Sequence, residues 1–121
     1  MASIKTGRDE RKFLRTSRDI DFVKQHGRRF STAMFNGLVC RTNGGTRVAI
    51  VVGRRFGTAV RRNRAKRLFR ELTRQVHRHL VEGYWLVVFP KRDAITLPFE
   101  SLRHAWCSTL KRQGMWHGNE A

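Results

Sequence analysis

The sequence predicts a small α+β domain, with helices packed on a mixed sheet, and three observations predict it. Apolar residues make up 40% of the 121 residues, enough to build a core. Two short runs, Val48-Ala49-Ile50-Val51-Val52 and Trp85-Leu86-Val87-Val88-Phe89, are continuously apolar, as strands buried on both faces are. Between them lies a long segment with apolar residues at helical spacing. Strand, helix and strand in that order can lie parallel through a crossover, and helices layered on a sheet are the simplest way to bury both.

The elements follow in order. Residues 1–15 are polar and basic, with Phe13 and Leu14 the only large apolar pair beyond Ile4, and read as an arm that orders on binding. Ser17 is positioned to cap a short helix over 18–25, with Gly27 just past its end and Ile20 and Val23 sharing a face. Phe30 to Arg41 reads as a first strand, in which Phe35, Gly37 and Val39 alternate with Asn36, Leu38 and Cys40. Thr42-Asn43-Gly44-Gly45 is a turn signal, and Arg47 to Gly53 a second strand, which together predict an antiparallel hairpin. The long helix starts at Thr58 and ends near Glu82 and Gly83; Tyr84 to Pro90 is a third strand. Leu97-Pro98 opens a last helix, where proline is tolerated in the first turn, with Phe99, Leu102, Ala105, Trp106 and Leu110 on its apolar side. The expected organisation is an arm over 1–15, one binding domain over 16–113 and a loose tail over 114–121.

Charge narrows the partner. Twenty-six Lys and Arg face nine Asp and Glu, a net +17. Such a chain repels itself and calls for a polyanion, whose condensed counterions are released on binding. Lysine occurs only at 5, 12, 24, 66, 91 and 111; the rest of the cations are arginine, whose planar fork matches phosphate oxygens and stacks on bases. Cys40 and Cys107 make no disulfide framework. The first thirty residues lack an apolar signal core, and no apolar run approaches the ~20 residues of a membrane helix. A cytoplasmic protein without a membrane partner is the expectation.

The long helix is the informative segment. At ~100° per residue, Ala65, Leu68, Phe69, Leu72, Val76 and Leu80 fall in a stripe roughly 120° wide. Asn63, Lys66, Arg67, Arg70, Arg74 and Arg78 fall on the opposite side, and Glu71 is the only acid between Arg54 and Arg78. Lys66, Arg70, Arg74 and Arg78 form an i,i+4 ladder of like charge, which costs an isolated helix a few tenths of a kcal/mol per pair. A phosphate backbone laid on that face would reverse the sign of the effect. Arg61, Arg62 and Arg64 crowd the first turns, and Arg54 and Arg55 the loop before them, where backbone N–H groups can share a phosphate. No Gly-Lys-Ser/Thr follows, so no nucleotide-binding loop is read.

Ala59-Val60-Arg61-Arg62-Asn63-Arg64-Ala65-Lys66-Arg67-Leu68-Phe69-Arg70-Glu71 closely resembles the RNR signature of the bacterial ribonuclease P protein family, and Arg54-Arg55-Phe56-Gly57 resembles the basic pair leading into it. The strand ending in Pro90-Lys91-Arg92 is also similar to a family strand, and the likeness runs over roughly residues 12–112. It implies an α+β fold with a left-handed crossover at the basic helix, where physics alone favours a right-handed one. It implies a protein that is not itself catalytic and whose partners are a catalytic RNA and precursor tRNA, with Mg²⁺ acting alongside the RNA and no small-molecule substrate. By the resemblance, Arg54, Arg55, Arg61, Arg62, Asn63, Arg64, Lys66, Arg67, Arg70 and Arg74 contact the catalytic RNA. A cleft beside the N-terminal helix would hold the single-stranded 5′ leader, through Ile20, Phe22, Lys24, Phe35, Lys91 and Arg92. Two positions that are often Phe in the family are Ile20 and Lys24 here, so Phe22 or Phe35 is expected to supply the missing ring.

A protein-only nuclease would need converging carboxylates with metals, or a histidine pair. The nine acids are scattered, and Asp19 and Asp21 point ~200° apart on a helix. His77-Arg78-His79 reads as surface, and His104 with Cys107 lacks the second pair that zinc requires. Trp85 and Trp106 read as core, and Trp116 has no assigned role. A ribosomal or general RNA-binding protein and a metal-dependent nuclease remain the rival readings.

Overall fold

The computed structural model describes residues 12–117. Its elements are α1 (Ser17–His26), β1 (Arg28–Ser31), β2 (Phe35–Arg41), β3 (Arg47–Ile50), α2 (Ala59–Val76), β4 (Tyr84–Pro90) and α3 (Phe99–Arg112). Short 3-10 turns cover Arg54–Phe56, His77–His79 and Arg92–Thr96. The sheet order is β1-β2-β4-β3, with β3 parallel to β4 and the other pairs antiparallel. This is the α+β arrangement expected, with α2 as the crossover between parallel strands.

Two strand expectations are corrected. The stretch read as one strand over 30–41 is a hairpin, β1 and β2, because Thr32 breaks it. Its hydroxyl donates to the Phe35 carbonyl and accepts from the N–H groups of Met34 and Phe35, a side-chain turn that the backbone pattern does not reveal. The second correction concerns the turn at 42–45. It does not join paired strands, because β4 lies between β2 and β3. Its residues bond to the start of β4 instead: Thr42 N–H donates to the Gly83 carbonyl at 2.9 Å, and the Thr46 hydroxyl accepts from Tyr84 N–H at 3.1 Å and donates to the Val81 carbonyl. The most continuously apolar strand thus takes the centre, where both its edges are paired. β3 is also shorter than the predicted 47–53, although Val51 N–H still reaches the Val88 carbonyl at 2.9 Å.

Alternation along the strands sends residues to two different layers. Phe35, Val39, Val48, Leu86 and Val88 pack against Phe69, Leu72 and Val76 of α2 and Leu102, Trp106 and Leu110 of α3. Phe35, Phe69 and Trp106 form an aromatic triad with ring centroids 5.2–5.6 Å apart. On the other face Leu38, Ala49 and Val87 pack under Val23 of α1 and Leu14. Gly37 is required by close approach: a Cβ there would lie 2.3 Å from the ring of Phe30, which lies across it.

The helices end where local chemistry dictates. Thr16 caps α1, one residue before the Ser17 expected, and Thr58 caps α2, accepting from Asp19 and Arg61 N–H groups. Helix α2 stops at Val76 and tightens into a 3-10 turn, short of the predicted Gly83; the apolar stripe nevertheless lands as expected, with Ala65, Phe69, Leu72 and Val76 fully buried. Both ends of the described segment are more integrated than expected. Phe13 and Leu14, assigned above to the arm, are buried, and Leu14 N–H donates to the Val48 carbonyl at 2.9 Å. Past Gly114, Met115 is fully buried and Trp116 stacks on His79 at 5.2 Å, so this part of the tail is not loose. Residues 1–11 and 118–121, the rest of the arm and tail, lie outside the described residues.

Thr46→Val keeps the shape but removes the hydroxyl that ties the β2–β3 connection to β4. It should cost about 1–3 kcal/mol of stability, because buried backbone groups lose a partner. Urea unfolding measures this, and an unchanged midpoint would refute the role given to Thr46.

Candidate nucleic-acid interface

Burying one side of α2 forces its other side outward. Asn63, Arg64, Arg67, Arg70, Arg74 and Arg78 are exposed and Lys66 is half-buried, so the ladder inferred from the wheel stands at the surface. Glu71 is the only acid in the sequence of this helix. Glu71 meets Arg74 at 3.9 Å and accepts from Gln75 at 3.3 Å. The Arg74 guanidinium also lies over the Phe13 ring, 5.6 Å from its centroid.

The loop entering α2 is built to hold its cations in place. Phe56 is buried beneath Arg54 and Arg55, and Gly57 adopts φ +150°, a region that favours glycine. Arg62 donates to the Gly57 carbonyl at 2.7 Å, so this guanidinium braces the loop as well as facing solvent. Arg92 donates to the Arg55 carbonyl at 2.6 Å. The structure therefore groups Arg92 with Arg55, Arg61 and Arg64, and not with the N-terminal helix. Lys91 is half-buried and donates to the Thr32 carbonyl at 2.7 Å, bracing the β1–β2 turn.

A second surface runs along one flank of α1. Lys24 lines a groove of about 580 Å³ with Arg29, Ser31, Asn36, Leu38 and Phe89. Ile20, one turn earlier, lines a groove of about 450 Å³ at the edge of β3, where Arg15, Arg70 and Arg74 converge. Neither ring expected in the cleft is there. Phe35 is fully buried on the α2 side of the sheet. Phe22 is 45% exposed, but it projects from the other flank of α1, stacked on His26 at 4.4 Å and edge-on to Trp85 at 6.0 Å. Two aromatic residues line the groove, Phe30 and Phe89: the Phe30 ring lies across Gly37 and packs with the α2-side core, so the ring on the α1 face is Phe89, which the sequence reading treated only as a strand residue. Its parity with Trp85 and Val87 was the signal, since those residues share the face that α1 covers.

Of the remaining groups, His77 is half-buried with Nε2 2.7 Å from the Thr46 carbonyl, a tie between α2 and the β2–β3 connection. The Cys40 thiol is pushed above its ordinary value by burial, with the hydrogen bond to the Trp85 backbone acting against this. Among the described residues no three His, Cys, Asp or Glu side chains are grouped to hold a metal ion, and no helix is long and apolar enough to cross a membrane.

A three-layer α+β fold that presents one exposed guanidinium face and one basic groove with an aromatic floor belongs to the class of proteins suited to a polyanion. Comparison with known proteins then gives the family. A model of the Ribonuclease P family matches residues 9–114. The ribonuclease P protein component of Herpetosiphon aurantiacus is 36% identical over 109 residues, covering 88% of each chain. That of Symbiobacterium thermophilum is 40% identical over 70 residues, which span 58% of this chain and 61% of the relative. The solved structure of the RNase P protein from Thermotoga maritima superposes with a TM-score of 0.74 at 30% identity, covering 84% of this chain and 96% of that one. The chain belongs to the bacterial ribonuclease P protein family.

Arg70 sits between Lys66 and Arg74 on the ladder, so Arg70→Gln removes two like-charge neighbours. Without RNA, the variant should be as stable as the parent or more stable by a few tenths of a kcal/mol. A clear loss in thermal or urea unfolding would show that Arg70 serves the fold and not a partner.

Proposed function

We propose that the chain is the protein subunit of ribonuclease P, binding the catalytic RNA through the basic face of α2 and the 5′ leader of precursor tRNA in the groove beside α1. The RNA subunit supplies the catalysis that releases the mature 5′ end. The observation that carries this reading is the ladder of Lys66, Arg70 and Arg74, continued by Arg78 in the following 3-10 turn, on the outer face of a helix whose inner face buries Ala65, Phe69, Leu72 and Val76. Intrahelical stability does not favour such a face, whereas a phosphate backbone does. Arg54, Arg55, Arg61, Arg62, Asn63, Arg64 and Arg67 extend the same surface to the start of the helix, where backbone N–H groups add to the attraction for phosphate.

The groove suits a single strand. Phe89 offers a ring on which a base can stack, Lys24 and Arg29 line the same groove and offer cations for its phosphates, and Ser31 and Asn36 offer hydrogen-bonding groups. Ile20 packs at the β3 end of the same flank and contributes shape. Arg15, Arg70 and Arg74 around the β3 edge bring the groove next to the α2 face, so leader and catalytic RNA would meet on one protein. The protein then aligns two polyanions that otherwise repel each other, a positioning role that needs no side chain at the reacting phosphate. Mg²⁺ would act with the RNA subunit. A cytoplasmic location, where precursor tRNA is made, fits this role.

Reconstitution tests the reading. At low magnesium the protein should stimulate cleavage of precursor tRNA by the catalytic RNA, and its binding should weaken by roughly 10³–10⁵ between about 50 and 200 mM salt if some ten phosphates are contacted. Absence of stimulation rejects the assignment. The groove has its own test: Phe89→Ala should weaken binding of leader-bearing substrate by roughly 1–3 kcal/mol, with no change for tRNA lacking a leader, whereas Phe22→Ala should leave both alone. Equal effects of the two substitutions would remove Phe89 from the site.

A further inference from the structure

A third surface carries chemistry that phosphate binding does not explain. Val60, in the first turn of α2, is 77% exposed, more than any other large apolar side chain among the described residues. It lines a hollow of about 480 Å³ with Ile95 and Phe56. Arg61, Arg64 and Arg92 rim this apolar floor, and Asp93 stands among them. Among the described residues the Asp93 carboxylate accepts no hydrogen bond and joins no ion pair. An unpaired acid on the most basic part of a +17 chain weakens general attraction for RNA. Its presence makes sense as a hydrogen-bond acceptor for something the cations bring near.

We infer that this hollow holds one unpaired guanine of the catalytic RNA, with Asp93 as the residue that selects it. The inference rests on the assignment of the α2 face to that RNA. A base laid on Val60 and Ile95 presents its edge to the rim. Guanine alone among the four bases offers two adjacent donors, N1–H and the N2 amino group, on its pairing edge, and a carboxylate can accept both at once. Adenine, cytosine and uracil each offer one donor group there and set a carbonyl or ring-nitrogen acceptor against the second oxygen. The flanking phosphates fall to Arg61, Arg64 and Arg92. The last is held in place by the Arg55 carbonyl, so the rim is preorganised. Bases splayed out of loops and bulges and read on their pairing edge are the usual targets of sequence-specific RNA recognition. The leader is the less suitable occupant, since its groove lies on the α1 side of the sheet and the hollow lies on the α2 side.

Kethoxal, which reacts with N1 and N2 of unpaired guanines, probes the proposed contact directly. The catalytic RNA is treated alone, with the parent protein, and with Asp93→Asn, while hydroxyl-radical footprinting reports the backbone contacts. One guanine should be protected by the parent protein and become reactive with Asp93→Asn, with the backbone footprint unchanged. Replacing that guanine by inosine, which lacks the N2 amino group, should weaken binding of the parent protein roughly tenfold and add little to the Asp93→Asn loss. Identical kethoxal patterns with parent and variant would overturn the inference. A parent protein giving no backbone footprint would overturn the underlying assignment instead.

Discussion

The structure depends on the burial of one stripe of α2 against the sheet. Ala65, Phe69, Leu72 and Val76 lose all their exposure in that contact, and Phe69 completes the triad with Phe35 and Trp106. Full burial of side chains of this kind is worth about 1.5–3 kcal/mol each. The repulsion along the cationic ladder costs a few tenths of a kcal/mol per pair. The apolar contact therefore wins by a wide margin, and it holds straight a helix whose outer face would not favour helix formation on its own. The same contact fixes which way the guanidinium groups point, so the core and the cationic surface are two sides of one helix.

The opposite face of the sheet is used differently. One short helix covers it in part, seated on Val23, and leaves the flank that carries Ile20 and Lys24 open above Leu38, Ala49 and Phe89. A face only partly covered provides a groove without any dedicated loop. Because β3 lies at the sheet edge, Arg70 and Arg74 from one layer and Arg15 and Ile20 from the other reach the same hollow. The edge position of β3 is what lets the two basic surfaces adjoin.

Legibility from sequence followed the range of the interactions. The α2 stripe and its basic face obey a helical period, and most of their residues lie where that period puts them, although Leu68 and Lys66 are only half-buried and the helix ends before Arg78 and Leu80. The hydroxyl of Thr32 and the insertion of β4 between β2 and β3 were not legible. The first is a side chain competing with the backbone, and the second is a choice of partner far along the chain. The cleft aromatics were misassigned for a related reason: Phe22 and Phe35 are the nearest rings in sequence, but Phe22 faces Trp85 and Phe35 belongs to the core. Phe13, Leu14 and Met115 looked peripheral because terminal apolar residues carry no periodic signal.

The sequence by itself determined the element types, the amphipathic helix and the sign and position of its charge, because these follow from periodicities of 2 and 3.6 residues and from residue chemistry. It also carried the RNR signature and with it the family. Only the tertiary structure decided which strands pair, which rings remain open at the surface, and which cations also brace the loop. Those outcomes depend on contacts between residues tens of positions apart, where many pairings satisfy the same local pattern and only packing of the whole chain chooses among them.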